Sequence, residues 1–136
     1  MDEVHPGSCL CGAVRFQVAG EFGSFFFCHC ARCRKDTGSS HAANLFSSNG
    51  RLTWLSGADR VKTYRLPETR HERSFCIECG SALPSMQGDG SLIVVPAGSL
   101  DAPVPVRPTA HICFASRADW DPLLEEIPTL DGLPGQ

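Results

Sequence analysis

Three cysteines fall within six residues at Cys28, Cys30 and Cys33, in the run FFFCHCARCRK. Two pairs lie on either side of them, Cys9 and Cys11 in CLC and Cys76 and Cys79 in CIEC, and an eighth cysteine, Cys113, stands alone. Cysteines separated by one or two residues let a single loop present two sulfurs to the same ion. Zinc takes four ligands at near-tetrahedral angles, with Zn–S about 2.3 Å. The seven clustered thiols therefore divide as four plus three. The triple Cys28, Cys30 and Cys33 is compact enough to hold one ion by itself. Cys9, Cys11, Cys76 and Cys79 then remain as two pairs that complete one closed four-thiolate site. Such a site would staple the start of the chain to its middle and supply a large share of the folding free energy of a small domain. Gly80, just after Cys79, suits the left-handed backbone that a knuckle of this kind needs. Two zinc ions per chain is the expectation.

Two other uses of cysteine compete with this one. Disulfides form in oxidising compartments, and the first residues, MDEVHPGSC, carry two acids and no apolar run of the kind a secretory leader has. Closely spaced CxC pairs also make strained bridges. An iron–sulfur cluster generally needs four cysteines together, and the triple offers three.

A three-thiolate site leaves one coordination position open, which is the mark of a catalytic rather than a structural zinc. Three thiolates give the ion a net charge of about -1 and weaken it as a Lewis acid relative to a three-histidine site. Hydrolysis by a zinc-bound hydroxide is therefore disfavoured. A soft site prefers a soft fourth ligand. An incoming thiol would be held as its thiolate at neutral pH, below its free pKa of about 8.5, and could attack a small carbonyl electrophile nearby. Cys113 alternates with Ile112 and Phe114 in an apolar stretch and reads as a buried free thiol; if it reached the triple, the open position would close.

These ligands must be positioned by a small scaffold. The 136 residues suggest one domain, with a core over about 7–124 and a Pro- and Gly-rich tail over 125–136. A hydrophobic content of 42% and a charged content of 20% are ordinary for a globular protein. Thirteen Gly and ten Pro favour turns and short strands over long helices. A net charge of -3 argues against a nucleic-acid or anionic-membrane binder. The longest apolar run, residues 92–95, is far too short to span a bilayer. A cytoplasmic protein is the expectation, and there clustered cysteines bind metal more often than they form disulfides.

Residues 12–18 alternate, with Val14, Phe16 and Val18 on one side, as a half-buried strand does. Further strands are expected over 25–28, 42–47, 72–76, 92–95 and 110–115. Strands at 52–55 and 61–66 are expected to form a hairpin across SGAD, and SSNG at 47–50 is a turn signal. Residues 37–43 and 119–126 are the only helical candidates, the second interrupted by Pro122. The fold class is all-β, with little helix.

GSCLCGAVRF, CHCARCRKDTGS, FCIECGSAL and HICFASRADW, in that order, resemble the glutathione-dependent formaldehyde-activating enzyme family, the GFA/CENP-V domain. The resemblance runs from about residue 7 to about residue 134. It implies a β-tent of small antiparallel sheets stapled by zinc. It also implies the same partition, with Cys9, Cys11, Cys76 and Cys79 structural and Cys28, Cys30 and Cys33 at a second, substrate-facing zinc. The implied activity is that of a carbon–sulfur lyase or synthase joining glutathione and formaldehyde as S-hydroxymethylglutathione.

The residues around the triple carry two readings each. Arg32, Arg34 and Lys35 can clamp a carboxylate of a glutathione-like substrate, or form a solvated basic loop. Gly38, Ser39 and Ser40 can offer donors beside the open position, or form a plain turn. His29 reads as a structural neighbour of the site rather than a ligand, since its ring points away from the metal side in an extended stretch. His41 is a proton-shuttle candidate or an ordinary histidine. His111 reads as structural and Trp120 as core. An enzyme using a small-molecule thiol and aldehyde is favoured. The alternative is a non-catalytic zinc-stapled module that binds a protein partner, and a nucleic-acid binder is disfavoured by charge. Oligomeric state has no signature in the sequence.

Overall fold

A computed structural model describes residues 3–135; positions 1, 2 and 136 of the expected domain and tail lie outside the described residues. In chain order the elements are β1 (Val4–Ser8), β2 (Arg15–Ala19), β3 (Ser24–Cys28), α1 (Ala31–Thr37), β4 (Ala42–Ser47), β5 (Arg51–Ser56), β6 (Val61–Arg65), β7 (Glu72–Cys76), β8 (Ala82–Leu83), β9 (Ser85–Gln87), β10 (Leu92–Pro96) and β11 (Ala110–Ile112). They form three small sheets ordered β1-β2-β5, β11-β3-β4-β10-β9 and β6-β7-β8. The expected β-rich fold of small sheets with little helix is what the chain adopts. One pairing departs from the antiparallel expectation: β11 lies parallel to β3, with Ile112 opposite Cys28. The late HICFAS segment is thereby brought beside the triple cysteines. No helix among the described residues is long and apolar enough to cross a membrane.

The core forms where the three sheets meet. The alternation of residues 12–18 turns Val14, Phe16 and Val18 inward, and all three are fully buried. They join Leu45, Ile93 and Val95 of the second sheet and Leu83 and Cys76 of the third. Against Phe16 the backbone comes very close. A Cβ on Gly7 would lie 2.2 Å from Phe16 Cζ and 2.6 Å from the Ser99 carbonyl oxygen. Gly7→Ala is therefore expected to overpack this junction and cost about 1–3 kcal/mol, read as a lower midpoint in urea unfolding.

Several local expectations are corrected. The helix expected over 37–43 lies six residues earlier, because the cysteine loop itself winds up. Cys30 caps α1 through its sulfur, which accepts the Cys33 N–H at 3.4 Å, and Gly38 ends it in the left-handed region at φ 65°. Residues 42–47 are the strand β4. Of the helix expected over 119–126 only a 3-10 turn, Leu124–Glu126, forms, since Pro122 and the left-handed Leu123 (φ 64°) prevent a longer run. β5 and β6 do not form a hairpin. A 3-10 turn at Ala58–Arg60 sends β6 into a different sheet, and Gly57 before it packs its backbone on Ala13.

The strand expected over 110–115 stops at Ile112, because Cys113 takes a left-handed conformation (φ 52°) that leaves the strand. Cys113 is consequently exposed, not buried. Trp120 is 56% exposed rather than core, because the chain after β11 runs over the surface without a sheet to lie under.

Candidate functional site

The first cysteine set joins two sheets. Cys9 and Cys11 sit in the loop between β1 and β2, and Cys76 and Cys79 sit in the turn leaving β7. Gly80 closes that turn at φ 77°, with its N–H on the Cys76 carbonyl at 2.7 Å. All four sulfurs lie within 4.8 Å of one another. Four sulfurs held tetrahedrally at zinc distance would be about 3.8 Å apart. The Cys9–Cys11 and Cys11–Cys76 separations of 3.6 and 4.0 Å bracket that value.

Backbone N–H groups point at these sulfurs, from Val14 to Cys9 at 3.2 Å and from Glu78 to Cys76 at 3.4 Å. Such donors stabilise thiolates. The Ser81 hydroxyl accepts from the Leu10 N–H at 2.8 Å and lies 3.3 Å from the Cys79 sulfur. Hydrogen bonding by Ser81 lowers the Cys79 thiol to about 5. At Cys11 the Ala13 N–H favours the thiolate, but hydrogen bonding with Cys9, burial and the Cys79 and Cys76 thiols together outweigh it and the thiol rises to about 11. The set is thus poised to hold some thiolates and to retain other protons until a cation arrives.

The second set is built by the β3–α1 junction. Cys28 ends β3, Cys30 caps α1 and Cys33 sits in its first turn, with all three sulfurs within 4.8 Å of one another. Burial pushes the Cys33 thiol far up, with Cys30 and Cys28 adding to the effect, and burial also raises Cys28. Burial opposes ionisation of Cys30 too, but the Cys33 N–H and the neighbouring thiols outweigh it and lower that group. Alone, the triple resists carrying three negative charges; a divalent cation relieves that resistance. Both sets fit a thiophilic metal ion.

Because Cys28 and Cys33 keep their protons above the usual thiol range, an ion binding them must displace those protons. Affinity is therefore greatest at alkaline pH and falls as pH drops. A decline of about tenfold per pH unit for each proton displaced is expected in chelator competition between about pH 8 and about pH 6. A pH-independent affinity would contradict it.

Of the two cysteine sets, the triple borders a sizeable cavity. A space of about 500 Å³ is lined by Cys28 and Cys33, together with Asp36, Arg70, His71 and Arg73, and by none of Cys9, Cys11, Cys76 and Cys79. Asp36 stands one helical turn beyond Cys33, on the same face of α1. Its carboxylate lies 2.6 Å from His71 Nε2, tying the helix to the segment entering β7. Sequence reasoning missed this pair and the two arginines. Asp36 is visible in CRKDTGS, one turn after Cys33, but nothing in the polar run TRHERS assigns His71 to the same wall.

The residues expected to contact substrate lie elsewhere. Arg32 is exposed and lines a shallow groove that shares Arg70 with the cavity, Lys35 and Ser39 are exposed, and none of Arg32, Arg34, Lys35 and Ser39 lines the cavity. Arg34 is partly buried, and its Nε has no hydrogen-bond partner among the described residues. His29 turns to another side. Its ring is buried, its Nε2 lies 2.8 Å from His111 Nδ1, and burial lowers its pKa so that it stays neutral. It packs with His41 and Phe114, and His41 stacks on Phe27 at 4.2 Å.

A family model described as glutathione-dependent formaldehyde-activating enzyme matches residues 4–116, which include all seven clustered cysteines. The chain belongs to the GFA family. A Halomonas elongata protein named "Putative glutathione-dependent formaldehyde-activating enzyme" is 32% identical over 121 residues, covering 84% of this GFA chain and 77% of that protein. A crystal structure of a Rhodobacter sphaeroides protein matches with a TM-score of 0.57 at 23% identity, over 78% of this chain and 98% of that one, a likeness of fold. The GFA match ends at residue 116, before the exposed segment that carries Trp120.

Proposed function

We propose that this chain is a single GFA-type zinc domain acting in the cytoplasm as a carbon–sulfur lyase or synthase on a glutathione-like thiol and a small aldehyde such as formaldehyde. Cys9, Cys11, Cys76 and Cys79 hold a structural zinc. Cys28, Cys30 and Cys33 hold a second zinc with one position open to the cavity. The observation that carries this reading is the asymmetry between the two sets: Cys28 and Cys33 of the triple line a cavity of about 500 Å³, and none of the four lines it. Family membership supports the substrate class.

Zinc held by the triple would supply, from an incoming thiol, a thiolate at neutral pH. The remaining work falls to the chain. Arg70 and Arg73 on the cavity wall offer guanidinium forks for the carboxylates of a glutathione-like tripeptide. In this reading they take over the role that the sequence offered to Arg32, Arg34 and Lys35. Asp36 fixes the His71 ring through Nε2 and leaves Nδ1 to handle a proton. The addition forms a C–S bond as the C=O π bond opens. The proton given up by the thiol ends on the aldehyde oxygen, and no other atom enters or leaves. His71 is the group placed to carry that proton.

His71→Gln is accordingly expected to slow the reaction by about 10²–10⁴-fold with zinc content unchanged. The reading itself is tested by two-dimensional exchange NMR of glutathione with formaldehyde. Faster exchange with the zinc-loaded protein than without it supports the reading, and identical exchange rates overturn it in favour of the stapled module.

A further inference from the structure

The chain exposes more surface than a folded monomer of its mass should. A compact monomer of 14.7 kDa has about 6,900 Å² of accessible surface, and this one has 8900 Å². The excess of roughly 2,000 Å² per chain is above the roughly 800 Å² that each partner buries in a standard interface and within the range of the large interfaces of obligate homodimers. Large exposed apolar side chains recur in the arm after residue 117. There Leu123, Ile127 and Leu130 are 59–64% exposed, and Trp120 and Leu124 are exposed beside them. The backbone hydrogen bonds from Asp121 to Ala118, from Glu126 to Leu123 and from Ile127 to Leu124 are local turns, not pairings with a sheet.

Pro122 and Pro128 stiffen the arm, so that little chain entropy remains to be lost when it docks. Its charge is one-sided as well: residues 118–135 contain five acids and no lysine or arginine. Asp121 turns inward, 3.8 Å from His29 Nδ1, and the other four, Asp119, Glu125, Glu126 and Asp131, are exposed.

The complement to such an arm is present on the same molecule. Arg32, Arg65 and Arg70, against the single acid Glu68, line a shallow groove of about 570 Å³ with Leu66 and Pro67. An acidic, apolar arm and a basic groove on one chain make a surface that a second copy can satisfy reciprocally about a two-fold axis. We propose that this protein is a homodimer in which the arm after residue 117 packs on a second copy, with its exposed acids Asp119, Glu125, Glu126 and Asp131 facing the groove at Arg32, Arg65 and Arg70. Trp120 and the leucines then form the core of an interface, not of the monomer. Arg70 also borders the cavity proposed for substrate, whereas Arg65 borders the groove and not that cavity.

Sedimentation velocity of the zinc-loaded full chain tests it. The wild type is expected to sediment as a dimer at micromolar concentration, with weaker association as salt is raised. The double variant Leu123→Ser, Ile127→Ser is expected to raise the dimer Kd at least about tenfold. Arg65→Glu, on the opposite surface, is expected to do the same at low salt. All three positions are exposed, and zinc content together with near-ultraviolet circular dichroism reports whether each variant is folded. If the double variant misfolds, Arg65→Glu alone still decides. A wild type that stays monomeric at about 100 µM, or a dimer that withstands either folded variant, overturns the proposal.

Discussion

Cys76→Ser is expected to abolish cooperative folding. Cys76 is fully buried at the junction of the sheets and belongs to the four-cysteine set. A structural four-ligand zinc site carries on the order of 10 kcal/mol of apparent binding free energy. The whole stability of a small domain is about 5–15 kcal/mol. Losing the site therefore removes an amount comparable with the total. The expected result is a variant without a sigmoidal melting transition by circular dichroism and with both zinc ions lost. Chelation of the wild type should produce the same state. A variant that melts cooperatively within a few degrees of wild type would show that packing of Phe16, Leu45 and Val95 holds the sheets without the metal.

Cys33→Ser is expected to separate folding from chemistry. Cys33 lies in the first turn of α1, and its loss leaves Cys9, Cys11, Cys76 and Cys79 intact. The variant should keep a cooperative melt and one zinc per chain, and should lose thiol–aldehyde exchange. Thiolate formation alone is worth about thirtyfold at pH 7 for a thiol of ordinary pKa. Lost positioning multiplies that, so the fall should be at least about a hundredfold. Exchange NMR and metal analysis on the same sample check both halves. Full activity with one zinc would place the chemistry away from the triple.

Where the text of the chain could be read, one local rule decided the answer. The alternation at Val14, Phe16 and Val18 needs no partner to be recognised, and all three are buried. The cysteine sets were legible because their spacing is short and sulfur is rarely placed in clusters without use; their four-plus-three grouping is also that of the sulfurs in space. β1 was illegible: VHPGS carries Pro and Gly and no alternation of apolar residues, because the Phe16 ring occupies the space beside Gly7 that a side chain would fill. The helix α1 was misplaced because ARCRKDT has no apolar period; only the cap at Cys30 and the stop at Gly38 define it. Asp36 and His71 are 35 residues apart and meet only after β7 is in place. Trp120 was assigned to a core by its type, but no sheet of its own chain covers it.

The central claim is an open coordination position at Cys28, Cys30 and Cys33. Zinc K-edge X-ray absorption of the fully loaded protein, with and without glutathione, addresses it directly. Two sites of four and three sulfurs average about 3.5 sulfurs per zinc, and a thiol entering the open position raises the average to about 4. A rise on adding glutathione, absent in Cys33→Ser, is the predicted result. A sulfur count that starts at four, or that does not change with glutathione, would contradict the account.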